Sequence, residues 1–390
     1  MRRIIYPATR AVEHAQLIPG VRPVRLFPVL WPLWQVETEA ELYEGQDFEI
    51  IDHFVVRAIG EAGIRDRAQL VGFLNLPAGV IDRCLAFLGL IGHVTVAGPT
   101  LDLTPLGRQS VQDGVRYVRT TSRQTILIER ESGHPFPRAH YDNNVPVLDT
   151  PRIEEGQLGD RSRFLPVSTL APFRPEVLAW LEQHPDRAGF NLPGQLRNLS
   201  NKGEREGYLP CYLIETADHR LLAYSNVAED RDEFLEGLFA RTSLEELIEA
   251  EGIADPATLW PKWLARSPAY GAGTLRQAPD GGWRVLLDPA TFGGEVKVAR
   301  VGSYQFSDHH FIQIWCTDPA TRRRALLERA LGIATLPKIT TVDQLQDRIE
   351  SLARSLETTV VSLAELRAHA QEAGAEARLR RLDELERASG

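Results

Sequence analysis

Asp288, Glu295 and Lys297 are the residues whose types and spacing come nearest to a reaction centre. Two carboxylates can hold Mg²⁺, and a lysine beside them can steer or activate an attacking water. Lys297 stands out in a chain that uses four lysines against forty arginines. The competing reading is a hairpin whose charges alternate outward, since so short a pattern recurs by chance. His134, His140 and Asp142, and the run Asp308-His309-His310, hold metal-ligating and acid–base side chains. They lack the fixed helical spacing that makes such groups converge, so no metal and no cofactor is expected. Arg322-Arg323-Arg324 near a helix start can grip phosphate or cover a solvated face.

An acid followed by Glu295-Val296-Lys297 on a neighbouring strand resembles the PD-(D/E)xK arrangement of metal-dependent nucleases. The resemblance implies a Mg²⁺-dependent cut of nucleic acid. The sequence departs from that pattern in the closeness of its two acids and in having no third acid upstream. Walker A, GxGxxG, GxSxG and HxK patterns are absent, which leaves ATPase, dinucleotide-binding, α/β-hydrolase and phospholipase-D-like readings without support.

The elements that would position any site are most legible over 47–113. Asp47 can cap a helix through Ile59, with apolar residues 51, 54, 55, 58 and 59 at helical spacing. A short helix follows Asp66, and a third opens after Leu76-Pro77 with Ile81, Leu85, Leu88 and Leu90 on one apolar face. Val94–Val96 and Leu101–Leu103 read as two strands around a tip at Ala97-Gly98-Pro99-Thr100. Leu103-Thr104-Pro105-Leu106-Gly107 starts the next helix. This stretch resembles the winged helix-turn-helix superfamily, and the resemblance implies a reading helix around Ala78–Leu88 with the Gly98 hairpin at a nucleic-acid backbone.

The charges run against direct DNA reading. Between Tyr43 and Val118 six arginines face nine acids, and the reading helix offers only Asp82 and Arg83. Phosphate affinity depends on positive charge that releases counterions. Nucleic-acid contact, if made, falls to Arg83, Arg108, Arg116, Arg119 and Arg123, with Arg130 and the arginines of the 1–46 arm beside them.

Outside this module, residues 1–46 read as an aromatic, proline-punctuated arm, extended rather than helical and unsuited to a central strand. Residues 116–340 read as a mixed α+β domain, with hairpins at Cys211–Tyr224 and at Trp283–Leu287 with Glu295–Ala299, and a strand at Phe311–Trp315. From 341 to 390 the spacing of Leu345, Ile349, Leu352, Leu356, Val360 and Leu363 predicts one coiled-coil-like helix whose stripe seeks a partner, with Gly374 kinking or splitting its far end.

The chain is 390 residues long with a net charge of −9, 43% hydrophobic and 25% charged, which fits a folded protein rather than a nucleic-acid wrapper. No run is long and apolar enough for a membrane helix, and the start carries no signal-peptide pattern. Cys84, Cys211 and Cys316 are dispersed and read as reduced core thiols. Arginine dominance resembles the usage of bacteria with GC-rich genomes and sets the expectation of a bacterial cytoplasm.

The expected whole is an α+β multi-domain protein: arm (1–46), winged helix (47–115), central mixed domain (116–340) and helical tail (341–390). Its expected role is a non-catalytic adaptor or subunit that contacts a protein partner or another copy of itself through the module and the tail, with nucleic acid possible as an associated component. A DNA-binding transcriptional regulator and the Mg²⁺-dependent nuclease are the alternatives.

Overall fold

Short polar side chains set the helix starts. Asp66 accepts a hydrogen bond from the Gln69 amide at 3.0 Å, Thr104 from Gly107 at 3.0 Å, and Asp318 from Thr321 at 2.8 Å. Each satisfies an amide that the first turn leaves unpaired. The computed structural model describes residues 5–98, 100–153, 163–167, 169–194, 196–228, 230–251 and 254–389. The class is α+β, with strands that pair mostly antiparallel.

The chain forms two compact units. One comprises Leu33–Tyr141 with Leu170–Glu206, and the other the first 32 residues, 142–169 and 207–390. Two long strands, Pro23–Gln46 (β1, following the helix α1 at Ala8–Leu17) and Leu196–Thr216, contribute residues to both.

In the first unit the Leu33–Gln46 part of β1 pairs with Arg116–Glu129 in an unbroken antiparallel register from Leu33↔Glu129 to Gln46↔Arg116. Between the ends of this ribbon lie three helices, Ile50–Gly60 (α2), Arg67–Leu74 (α3) and Ala78–Leu90 (α4). The hairpin of Val94–Ala97 (β2) and Thr100–Leu103 (β3) and the helix Pro105–Asp113 (α5) follow, then Arg116–Glu129 itself (β4). Val55, Val56, Ile59, Leu70, Ile81, Leu88, Leu101 and Leu103 form their shared core. Gly98 has φ +62° at the hairpin tip, where a side chain would be strained. Pro99, also assigned to that tip, lies outside the described residues.

In the second unit a four-stranded sheet runs in the order Tyr304–Ser307, His310–Trp315, Trp283–Leu286, Thr274–Gln277. Helices Pro319–Ala334, Val342–Ser355, Leu363–Glu372 and Glu376–Ser389 share one core with it. The hairpin Tyr212–Glu215 with Leu221–Tyr224 turns at His219, whose φ is +60°.

Several expectations are corrected here. Of residues 1–46, the described part from 5 onward forms a helix and a long strand rather than an extended arm. Phe27, Leu30 and Trp31 are buried, and Pro28 and Pro32 flank the two-residue pairing of Val29 and Leu30 with Leu165 and Pro166, so neither ring interrupts it. The divisions expected at 116 and 340 are not those of the compact units, because β4 completes the ribbon that holds the module and the tail completes the core of the second unit.

Trp283–Leu286 does not pair with residues 295–299. Its neighbours are Thr274–Gln277, antiparallel, and His310–Trp315, parallel, while Val298–Arg300 is a 3₁₀ turn. The tail is three helices. The first ends at Ser355, Glu357 takes φ +50°, and Ser362 restarts the chain through a capping box with Glu365. Gly374, with φ +62°, lies between the last two helices.

Candidate functional site

The module over α2–α5 presents a surface whose composition decides its chemistry. On α4 the buried residues Ile81, Cys84, Leu85 and Leu88 face the core. Its exposed residues are Ala78, Gly79, Asp82, Arg83, Ala86, Gly89 and Leu90. Leu90, expected on the apolar face, is turned away from it, because two residues past Leu88 is more than half a helical turn. A helix reading base edges needs several hydrogen-bonding side chains on that face, and here it carries only Arg83 and Asp82, the latter held by Arg67.

Of the eleven large apolar side chains exposed among the described residues, six fall within 50–96. Ile50 is 75% exposed, Phe54 54%, Phe73 62%, Leu90 85% and Val96 58%, and Ile51 completes the set. Ile50 and Phe54 are four residues apart on α2 and share a face.

The arginines around them are mostly engaged. Arg57 pairs with Glu61 at 2.8 Å, Arg65 with Asp102 at 2.5 Å, Arg67 with Asp82 at 2.5 Å and Arg108 with Asp102 at 3.6 Å. The proposed nucleic-acid residues on β4 are engaged too. Arg116 lies 3.8 Å from the buried Asp52, Arg119 3.3 Å from Glu41, and Arg123 2.9 Å from Glu39. Glu39 also holds Lys202 at 2.7 Å, and the two cationic hydrogen bonds keep its carboxyl below the ordinary range. Arg83 is exposed and has no ion pair among the described residues. These pairs are mostly surface ones, so they contribute little stability, but they leave little unbalanced positive field for a polyanion.

The other candidates are placed elsewhere. Asp288 accepts from the Ala290 amide at 2.8 Å and caps a 3₁₀ turn, and Glu295 and Lys297 are exposed on the loop that follows. With the expected hairpin unformed, the two-strand frame that would aim these three groups together is missing. No group of three His, Cys, Asp or Glu side chains among the described residues is arranged to hold a metal ion. Arg322, Arg323 and Arg324 turn back onto their own unit: Arg322 over the Trp315 ring at 5.2 Å, Arg323 to Thr359 Oγ1 at 2.6 Å, and Arg324 to Glu328 at 3.5 Å.

The stripe assigned to a partner is covered within the second unit. Leu345, Ile349, Leu352 and Leu356 are buried in its core and Leu363 packs against it, which leaves only Val360 exposed. Helices that bury their apolar face in the same unit have none left for a partner.

Two polar groupings escaped sequence reasoning. His14 Nδ1 lies 3.0 Å from Tyr224 Oη and its Nε2 3.4 Å from Asp230. Burial lowers the His14 pKa, although Asp230 opposes the shift, and burial raises that of Tyr224. The His14–Tyr224 contact is therefore a hydrogen bond between a neutral imidazole and a neutral phenol near neutral pH, not an activated phenolate. The second is the buried pair Arg25 and Glu215, with Phe27 between Arg25 (4.9 Å) and a stacked His309 (4.6 Å). Burial alone would raise the Glu215 carboxyl, but the Arg25 guanidinium holds it below its ordinary value. Both groupings join residues some two hundred positions apart, and no local pattern signals them.

Among the described residues no single helix is long and apolar enough to cross a membrane. Compared with family models, with curated proteins and with solved structures, the chain matches none.

Proposed function

We propose that this chain is a non-catalytic adaptor subunit of a bacterial cytoplasmic complex, and that residues 47–115 are a winged helix used to dock a protein rather than to read DNA. The observation that carries this reading is the concentration of exposed Ile50, Phe54, Phe73, Leu90 and Val96 on a module whose arginines, Arg83 apart, are paired. Apolar patches rimmed by polar groups mark association surfaces, whereas DNA contact calls for open positive charge.

Site-specific photocrosslinking tests it. A photoreactive residue at Phe54 or Phe73 should give discrete adducts that protease removes and nuclease leaves intact, while the same residue at Arg324 gives none. The DNA-binding regulator makes the opposite forecast: nuclease-sensitive adducts, and duplex binding that falls steeply with salt and weakens in Arg83→Ala. That outcome overturns the adaptor reading.

A further inference from the structure

We propose that the first unit contains a binding site for a small aromatic phosphate, built on a row of three side chains across its sheet: Arg119, Tyr43 and Arg197. Antiparallel pairing sets Tyr43 directly opposite Arg119, and directly opposed residues share a face. From Leu196–Thr216, the strand on the other side of β1, the Arg197 guanidinium lies 5.3 Å from the Tyr43 ring centroid. One aromatic ring is thus flanked by two cations.

The row borders a cleft of about 600 Å³, within the size range of small-molecule sites. Leu90, Ile91 and Leu106 supply apolar walls, and Gln109 an exposed amide. A second cleft shares Tyr43, Leu106, Gln109 and Arg197 and adds Tyr117 and Arg187. Neither lining contains a carboxylate, although the chain as a whole carries a net charge of −9. Glu41 sits 3.3 Å from Arg119 and also accepts from Asn198 at 3.1 Å. Arg197 has no acidic partner among the described residues.

Guanidinium groups bind phosphate through paired N–H donors, and a ring can stack against tyrosine beside them. The ligand chemistry that answers both features is a planar ring carrying a phosphate, of the size of a nucleoside monophosphate. The cleft shares Leu90 with the exposed apolar set, but Arg119, Tyr43 and Arg197, which carry the assignment, lie outside it.

Isothermal titration of the full chain with adenosine monophosphate, adenosine and inorganic phosphate tests the assignment. The monophosphate should bind at millimolar concentration or below and more tightly than either fragment. Arg197→Gln should weaken it at least about tenfold, the loss of one charge-assisted contact. Tyr43→Leu should weaken the monophosphate and leave phosphate unchanged, and Arg83→Gln should change nothing. Arg197 is exposed, so its substitution does not threaten folding, and circular dichroism verifies this for both variants. Absence of monophosphate binding, binding indifferent to Arg197→Gln and Tyr43→Leu, or binding of a single-stranded oligonucleotide without the mononucleotide each overturns the proposal.

Discussion

Arg116, the first residue of β4, reaches into the helical module and places its guanidinium 3.8 Å from the buried carboxylate of Asp52 on α2. The same guanidinium lies 5.3 Å from the Phe87 ring of α4 and donates to Gln46 Oε1 at 2.8 Å. One cation thereby ties two helices and the end of β1 together. An arginine that sequence reasoning offered to phosphate is a structural tie instead.

Removing its partner should be costly, because a buried charge left uncompensated destabilises more than the pair itself stabilises. Asp52→Ala is expected to lower unfolding free energy by about 3 kcal/mol. Urea denaturation followed by circular dichroism measures it. Arg123→Ala, whose partner is on the surface, should cost less than about 1 kcal/mol in the same assay.

Gly107 is a second point of close tolerance. A Cβ there would sit 2.2 Å from the His93 carbonyl oxygen, which is backbone and accepts from Thr104 at 2.9 Å. Gly107→Ala should cost about 2–3 kcal/mol through forced displacement of α5 from the β2 approach. An unchanged thermal midpoint would show that this approach is looser than described.

His93 makes the module acid-sensitive. It is fully buried with Nε2 2.8 Å from Ser110 Oγ. Burial, aided by Arg116 and opposed by Asp52 and the Tyr117 backbone, lowers its pKa below 6.5. The unfolded chain then binds more protons than the folded one, so stability is intact above pH 6.5 and falls as pH drops below it. Burial lowers the His14 and His310 pKa values as well, so they act in the same direction in the other unit. Urea midpoints should decline between neutrality and about pH 5, and His93→Gln should flatten part of that slope.

The tail distinguishes core from interface. Leu345 is fully buried and Val360 exposed. Leu345→Ala should cost about 2–5 kcal/mol and Val360→Ala close to nothing, with sedimentation unchanged in both. A change of oligomeric state in Leu345→Ala without loss of stability would restore the partner-binding stripe.

The thiols should be silent in the native state. Burial, with help from Asp52, pushes the Cys84 pKa up to about 11, and burial pushes that of Cys211 far up. Both remain protonated at pH values where free thiols ionise, so disulfide reagents should titrate neither until denaturant is added. Rapid labelling of Cys84 in native protein would contradict its placement.

What the sequence made legible was local. Asp66, Thr104 and Gly98 announce the ends of helices and the tip of the hairpin through capping and turn chemistry that acts over three or four residues. The hairpin at Cys211–Tyr224 was readable for the same reason. The pairing of Trp283–Leu286 was not, since its parallel neighbour at His310–Trp315 lies beyond any local pattern. The tail misled because a heptad-like stripe looks alike whether its cover is a partner or the same unit. Its break was written in Thr358-Thr359-Val360-Val361, β-branched residues that disfavour helix, and in the Ser362–Glu365 box. Arg197 went unnoticed because only the fold brings it to Tyr43.

Because the second unit takes residues up to 32 together with the stretch from 207 onward, it cannot close until that later stretch has left the ribosome. At about 5–20 residues per second, Phe27 and Trp31 wait on the order of tens of seconds for the strands and helices that will cover them. During synthesis that nascent segment is a natural landing place for chaperones.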